Sequence, residues 1–224
     1  MSLSIIIITK NEEAQIKDCL ESVRFADEII LVDSGSTDKT LSIARAYATR
    51  IIETDWKGYS GTNMIALEAA TGDWILWLDA DERVQPSLQE EIREVTKRGA
   101  VTGYYIARKA IFLGRWIKHC GWYPGYVIRL FKKGGARFSE NLVHESVYID
   151  GPTAHLISPL IHYTDTSLDH YFIKFNKYTT LAARELFQSN YRIHLTDLIG
   201  RPIYSFIKMY IIILLWPDLS ELQQ

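Results

Sequence analysis

Cysteine is scarce: Cys19 and Cys120 are the only two thiols in 224 residues, far apart and outside any Cys-x-x-Cys spacing. That argues against a disulfide-stapled secreted module and against a zinc finger. Glycine and proline, at 13 and 6, are too few for collagen or low-complexity sequence. No GxGxxG follows the first apolar run and no GxxxxGK[ST] occurs anywhere, so dinucleotide oxidoreductases and P-loop NTPases drop out. The first ten residues lack a basic n-region and hold only four consecutive isoleucines, which predicts no signal peptide and a cytoplasmic chain. The apolar stretch 203–216, with Lys208 its one charge, falls short of the roughly 20 residues that a membrane-spanning helix needs. Acids are missing where bases gather. Residues 97–137 carry ten Lys and Arg and no Asp or Glu, whereas residues 1–96 carry 18 acids against nine bases. An acidic half beside a basic, aromatic half predicts two jobs, one suited to a metal and one to a phosphate, a polyanion or a membrane surface.

What remains is a globular composition, 47% hydrophobic and 23% charged, of a length that suits one domain with an appendage. The first 80 residues alternate between short apolar runs and amphipathic stretches. Ser4–Thr9, Glu28–Val32, Ile51-Ile52 and Trp74–Leu78 read as strands, the first buried on both faces. Between them, helices are predicted from a cap at Asn11, from Thr37 to Tyr47 and over Thr62–Ala70. Pro86–Arg98 follows as a surface helix opened by proline. This βαβαβαβ order predicts an α/β fold on an open parallel sheet with helices on both faces. From about residue 100 the rhythm breaks into short aromatic segments, read as an α+β extension. Ser167–Phe187 reads as a helix, and 203–216 closes the pattern.

Ligands of open α/β sheets sit beyond the carboxyl ends of the strands. Three strands here end in polar groups: Thr9-Lys10-Asn11-Glu12, Asp33 with Ser36 and Asp38, and Asp79-Ala80-Asp81. Taken singly, each has a plain structural reading: Asp33 and Ser36 as helix caps, Glu12 as a partner of a helix dipole, Asp79-Ala80-Asp81 as a turn. Taken together they form one crevice of carboxylates, costly unless a cation joins it. Asp79 and Asp81, two apart, suit Mg²⁺ or Mn²⁺ completed by substrate phosphates, a geometry that serves a diphosphate leaving group.

The ordered set Thr9-Lys10-Asn11-Glu12, Asp33-Ser34-Gly35-Ser36-Thr37-Asp38 and Trp77-Leu78-Asp79-Ala80-Asp81-Glu82 resembles family 2 glycosyltransferases with a GT-A fold. Gly121-Trp122-Tyr123-Pro124, Arg129-Leu130-Phe131, Val143-His144-Glu145 and His162-Tyr163 resemble the bacterial lipopolysaccharide core glucosyltransferases within that family. The resemblance implies an inverting, metal-dependent transfer of a hexose, glucose first, from a UDP-sugar to a lipopolysaccharide core sugar. Another polysaccharide, lipid or protein acceptor, or a catalytically weak sugar-nucleotide binder, stands as the alternative. It implies that Glu12 and Asp33 contact the uracil and ribose, with Thr9, Asn11, Ser36, Asp38 and Asn63 also on the donor side, and that Asp79 and Asp81 hold metal and diphosphate. His162 is a candidate further metal ligand or a structural histidine. Arg129 is a candidate diphosphate clamp, because its fork pairs phosphate oxygens. His144 and Glu145 fall beyond the nucleotide half, where the base that deprotonates the acceptor hydroxyl is expected; Glu145 is taken as that base.

Residues 1–98 are accordingly read as the nucleotide-sugar half, 99–165 as the acceptor-side half and 166–224 as a helical extension. Arg201 and Lys208, with Tyr204, Tyr210 and Trp216, suit either a helix lying in the membrane interface, which would make the chain peripheral on the inner membrane, or a core helix. The expected partners are a nucleotide sugar, a saccharide or glycolipid acceptor and a membrane surface, with no nucleic acid. Two departures from the family pattern stand out: Gly61-Thr62 precede Asn63 where Gln-Lys is usual, and Gly125 follows Pro124 where Asp is usual.

Overall fold

Alternate side chains of a strand point to opposite faces, so a strand with no polar interruption needs cover on both. The first strand meets that condition. In the computed structural model, which describes residues 1–138 and 147–212, β1 (Leu3–Thr9) sends Ile5 and Ile7 into one apolar cluster and Ile6 into another. The first cluster is covered by α1 (Ile16–Ser22), through Ile16, Cys19 and Leu20, and by Ala44 of α2 (Thr40–Ala44). Between these helices runs β2 (Glu28–Asp33), and β3 (Arg50–Glu53) follows α2. The opposite cluster is covered by Ala66 of α3 (Gly58–Ala69). The next elements are β4 (Trp74–Asp79), the short β5 (Glu82–Arg83) and α4 (Pro86–Arg98), whose Leu88 and Ile92 join α1 and α2 on the first face. Pro86 opens α4 and Gly99, at φ +60°, closes it in the left-handed conformation that glycine adopts without a Cβ penalty.

Pairing runs β3-β2-β1-β4 in parallel, as the alternation of the first 80 residues implies. Gly72, at the entry to β4, lies against β1 so closely that a Cβ there would meet the Ser4 amide nitrogen and hydroxyl at 2.7 Å. Its own N–H donates to that hydroxyl at 2.8 Å. The sheet continues through β6 (Gly103–Phe112), with β7 (Arg115–Trp116) beside it, then β8 (Gly125–Lys132), antiparallel to β4. β9 (Ala136–Phe138) and β10 (Val147–Ile149) form a separate antiparallel ribbon. β11 (Thr153–His155) pairs β6, and β12 (Leu160–Asp165) links β6 to β5, so the main sheet reads β3-β2-β1-β4-β8-β6-β12-β5. Among the described residues the stretch 99–166 is strand and loop without a helix, so the expected α+β extension is β throughout until α5.

Three local readings change. Asn11 does not cap α1: it sits at φ +56°, and the helix begins only at Ile16 after an uncapped Gln15. Asparagine tolerates the left-handed region as well as it caps, and here its side chain serves a neighbouring loop instead. The second helix is one turn, Thr40–Ala44, rather than Thr37–Tyr47, because Ser36, Thr37 and Asp38 are engaged with the β1–α1 loop. The last apolar stretch starts earlier, in a helix that already contains Pro202, and passes into a π-helical turn at Lys208–Ile212.

The backbone divides into two compact units: residues 1–108 with 126–162, and residues 109–125 with the described residues from 163 onward. The first holds both apolar clusters. The second contains the β6–β7 hairpin tip, α5 (Leu168–Gln188) and α6 (Leu195–Ile207). Ser167 caps α5, its hydroxyl accepting the His170 N–H at 3.1 Å, and Asp197 accepts the His194 N–H at the start of α6.

Candidate active site

Register brings the strand ends together. Thr9 pairs Asp33 across β1 and β2, and Ile8 pairs Asp79 across β1 and β4, so the acidic ends of three neighbouring strands share one edge of the sheet. That edge is where an open parallel sheet binds its ligand.

The two loops beyond β1 and β2 are tied to each other through side chains. Asp33 is fully buried, and its oxygens accept the Thr9 hydroxyl at 3.1 Å, the Gly35 and Ser36 N–H groups at 3.0 and 2.8 Å, and the Ser36 hydroxyl. A carboxylate with four donors has filled its lone pairs, so Asp33 shapes the loop. Asn11 Oδ1 accepts the Thr37 N–H at 2.8 Å, and the Asn11 N–H donates to the Ser36 hydroxyl at 2.8 Å. The Glu12 N–H donates to the Thr40 hydroxyl at 2.8 Å, and Asp38 accepts the Glu13 N–H at 3.1 Å. Hydrogen bonds from Thr40 and Glu13 hold the Asp38 carboxyl below its ordinary value despite the opposing effect of partial desolvation. Thr9, Asn11, Glu12, Asp33, Ser36 and Asp38 therefore form one assembly. Asn63 is buried on α3, the helix that packs on β1 and β2.

The second assembly is built around a buried ion network. Glu82 is wholly buried; its Oε2 accepts the Asp79 N–H at 3.0 Å and its Oε1 accepts Arg129 Nη2 at 2.8 Å. The same Arg129 nitrogen pairs with the Asp79 carboxylate, and the guanidinium lies 4.4 Å from the centroid of the Trp77 ring. Burial raises Glu82 above the usual carboxylate range against the pull of Arg129. Burial lowers Arg129 in turn, but Asp79 and Glu82 more than offset it and keep the guanidinium protonated. Arg83, also buried, donates to the carbonyls of Ala80 and Glu82 at 2.9 Å and to Gln15 at 2.7 Å, fixing the turn to the start of α1. Below the turn the Cys19 thiol points at the Asp79 carbonyl at 3.6 Å, its ionisation pushed far up by burial.

On β12, His162 pairs in register with Glu82, and its Nε2 stands 3.3 Å from Asp81 Oδ2. Asp81 and His162 thus meet although they lie 81 positions apart in the sequence, and Asp79 stands two residues before Asp81 at the end of β4. Asp79 is the most open of the three, with 38% of its side chain accessible. Arg129, expected at a diphosphate, lies 3% exposed between two carboxylates and faces the protein. Glu82 is legible only as the last letter of an acidic motif, and nothing in the sequence singles out Arg83. The signal for a buried network was a strand pair, β5 with β12, too short to show as a pattern. His144 and Glu145 lie outside the described residues.

Asp81 and His162 offer two donors at this edge, a carboxylate oxygen and an imidazole nitrogen. Carboxylate oxygens suit Mg²⁺ or Mn²⁺, which take much of their shell from water and substrate phosphates, whereas an imidazole is a poor donor to Mg²⁺. Among the described residues no three His, Cys, Asp or Glu side chains are grouped so as to hold a metal ion; Asp81 and His162 are a pair.

Residues 4–147 match the glycosyl transferase family 2 model. The chain is similar to the lipopolysaccharide core biosynthesis glycosyltransferase LpsC of Rhizobium meliloti, 32% identical over 94% of this chain and 81% of that protein. It is similar also to an uncharacterized glycosyltransferase of Rickettsia typhi, 30% identical over 94% of this chain and 76% of that one. Among solved structures, S. aureus TarS 1–349 in complex with UDP-GlcNAc superposes with a TM-score of 0.56 at 18% identity, over 75% of this chain. The chain spans 60% of the length of that TarS fragment, and the likeness is one of fold. The α/β architecture is GT-A, and the chain, a glycosyltransferase, belongs to glycosyl transferase family 2.

Proposed function

We propose that this protein transfers a hexose, glucose being the first to test, from a UDP-sugar to a saccharide of the lipopolysaccharide core, with inversion at the anomeric carbon. The observation that carries the reading is the register that sets Asp79, with the Asp81–His162 contact beyond it, at the sheet edge that also holds the Thr9–Asp33 loops. The lipopolysaccharide role named for LpsC supports the acceptor class. TarS holds UDP-GlcNAc on the same fold, and a UDP-sugar is the donor assigned here.

The nucleoside lies against the paired β1 and β2 loops, where Glu12 and the rim around Asp33 set its position. The diphosphate lies toward Asp79 and Asp81. A divalent cation, held by Asp81 and His162 with Asp79 beside them, would neutralise the charge that develops on the diphosphate. Arg129 and Glu82 keep Asp79 in one orientation before any ligand arrives, so none of that ordering is left for the reaction. Glu145 accepts the proton of the acceptor hydroxyl as its oxygen bonds to the anomeric carbon and the bond to UDP breaks. We assign residues 1–98 to the donor and 99–165 to the acceptor.

The helical extension is assigned to a lipid surface. In α5 and α6 no residue is buried, and Phe172, Ile173, Leu198, Ile199, Ile203 and Phe206 are each at least half exposed. Lys174, Lys177, Arg184, Arg192 and Arg201 supply positive charge in the same stretch. Exposed apolar side chains with a basic surround suit a helix lying in the headgroup region. No described helix is long and apolar enough to cross a membrane.

Isothermal titration of UDP with and without Mn²⁺ tests the donor half of this reading. The expected result is binding that weakens at least about tenfold with a chelator present, or in Asp81→Asn with its melting temperature intact, the loss of one charge-assisted contact. UDP uptake indifferent to both changes would overturn it.

A further inference from the structure

Among the described residues the ten bases of residues 97–137 differ in what they meet. Arg98, Arg129 and Arg137 pair with carboxylates, and Lys132 and Lys133 donate to backbone carbonyls. Three others differ. Lys109, Arg115 and Lys118 all belong to the second unit, and no ion pair among the described residues includes any of them.

Two of the three are brought to one aromatic ring by the β6–β7 hairpin. Its register opposes Ile111 to Trp116 and Phe112 to Arg115 across a Leu113-Gly114 turn with positive φ at both positions. Lys109 lies two residues before Ile111 and is the indole's diagonal neighbour across the ribbon, and Lys118 lies two residues after Trp116 on its own side, so both fall on the indole's face. Lys109 Nζ lies 4.4 Å and Lys118 Nζ 4.5 Å from the Trp116 ring centroid, and Tyr123 meets the ring edge-on at 5.4 Å. An aromatic face attracts each ammonium by about 0.5–1 kcal/mol, while the two like charges repel each other. Residues 97–137 contain no acid, and Asp165, which reaches the hairpin from β12, pairs with His170.

We infer that Lys109 and Lys118, mounted on Trp116, form a subsite for the acidic group of an anionic saccharide, a sugar phosphate or a sugar carboxylate. The inference rests on the transferase reading above and adds to it the charge of the acceptor. Both ammonium groups donate to the anion's oxygens. Trp122, 40% exposed on the same loop, adds a broad apolar face of the kind that carries contact area in binding sites.

The experiment is a ligand-observed NMR titration of the full chain, saturated with UDP and Mn²⁺, using glucose 6-phosphate, glucuronate, glucose and inorganic phosphate as separate probes. At low salt, at least one acidic sugar should bind about tenfold or more tighter than glucose, the ratio that one charge-assisted hydrogen bond supplies. The order of the two acidic sugars distinguishes phosphate from carboxylate as the group read. The double variant Lys109→Gln/Lys118→Gln should lose that preference while UDP affinity and melting temperature stay unchanged. Equal binding of glucose and both acidic sugars would overturn the subsite, as would a preference that survives in the double variant. Inorganic phosphate binding as tightly as glucose 6-phosphate would overturn the saccharide part. Loss of UDP binding by the parent protein would instead strike the transferase reading, so the two failures are separable.

Discussion

Arg129→Met is expected to cost the fold about 3–5 kcal/mol, the range seen when one partner of a buried ion pair is removed and the other charge stays inside. The stranded charge is Glu82, whose side chain is wholly inaccessible, whereas Asp79 keeps 38% of its side chain in solvent and is screened. At roughly 2–4 °C per kcal/mol for a chain of this size, the melting temperature should fall by about 10 °C. Two controls make the cause specific. Adding Glu82→Gln to Arg129→Met should recover much of the loss, because a neutral amide oxygen still accepts the Asp79 N–H and no unpaired charge remains. Acidification should also narrow the gap. A carboxyl that burial holds above its unfolded value is neutral, and harmless to the fold, at pH below that value. It becomes costly as pH rises through the folded value, and loss of Arg129 raises that value further. The deficit of Arg129→Met relative to the parent is therefore largest near and above neutrality and shrinks toward pH 4, the region of free carboxyls. A variant that melts with the parent, or a deficit flat with pH, would show that the network does not hold the turn. Arg129→Lys should not substitute, since one ammonium cannot reproduce the planar fork that spans both carboxylates and lies over Trp77.

That network marks the boundary of what the sequence makes legible. The parallel half was readable because its signals are local. Continuous apolar runs call for cover on two faces, and the intervening 3.6-residue periodicity supplies the helices, so β1, β2, β4 and α4 fall within a residue or two of their expected bounds. Asp81 and His162 come within 3.3 Å, while Asp79 is engaged by Arg129 and Glu82. Arg129 is different. Its chemistry, a fork suited to carboxylate or phosphate, is written in the residue type, but which anion it meets is decided by β8 lying antiparallel beside β4. The partners are 47 and 50 residues away, beyond any periodic window. Asn11 failed for a second reason: the same side chain serves a helix cap and a left-handed turn, and the choice was made by Thr37 on the neighbouring loop. The aromatic stretch after residue 100 has no clear period because its strands bury both faces unevenly and end in hairpins such as β6–β7. The Lys109–Trp116–Lys118 cluster is a product of that register and of nothing visible along the chain.

Glu145→Gln is expected to lower kcat by about two to four orders of magnitude while leaving UDP-sugar affinity near that of the parent, the contribution of a positioned general base. The substitution keeps size and hydrogen-bonding capacity and removes only the ability to accept a proton. It therefore separates the chemical step from assembly of the site. The neighbouring His144 is the rival, and the two make opposite predictions for the acid limb. With Glu145 as base, His144→Gln retains most of the turnover, and the limb of kcat/KM lies where a carboxylate titrates. With His144 as base, the limb lies near pH 6.5, where imidazole loses its proton, and Glu145→Gln stays active. Hydrolysis of the UDP-sugar by water gives a further readout, because it needs no acceptor. Water attack in the parent should also weaken in Glu145→Gln, and azide, a nucleophile that brings no proton to be removed, should restore transfer to the variant. Rescue by azide with donor binding intact assigns the lost step to deprotonation of the acceptor. Full turnover in Glu145→Gln would move the base elsewhere, with His144→Gln the next measurement.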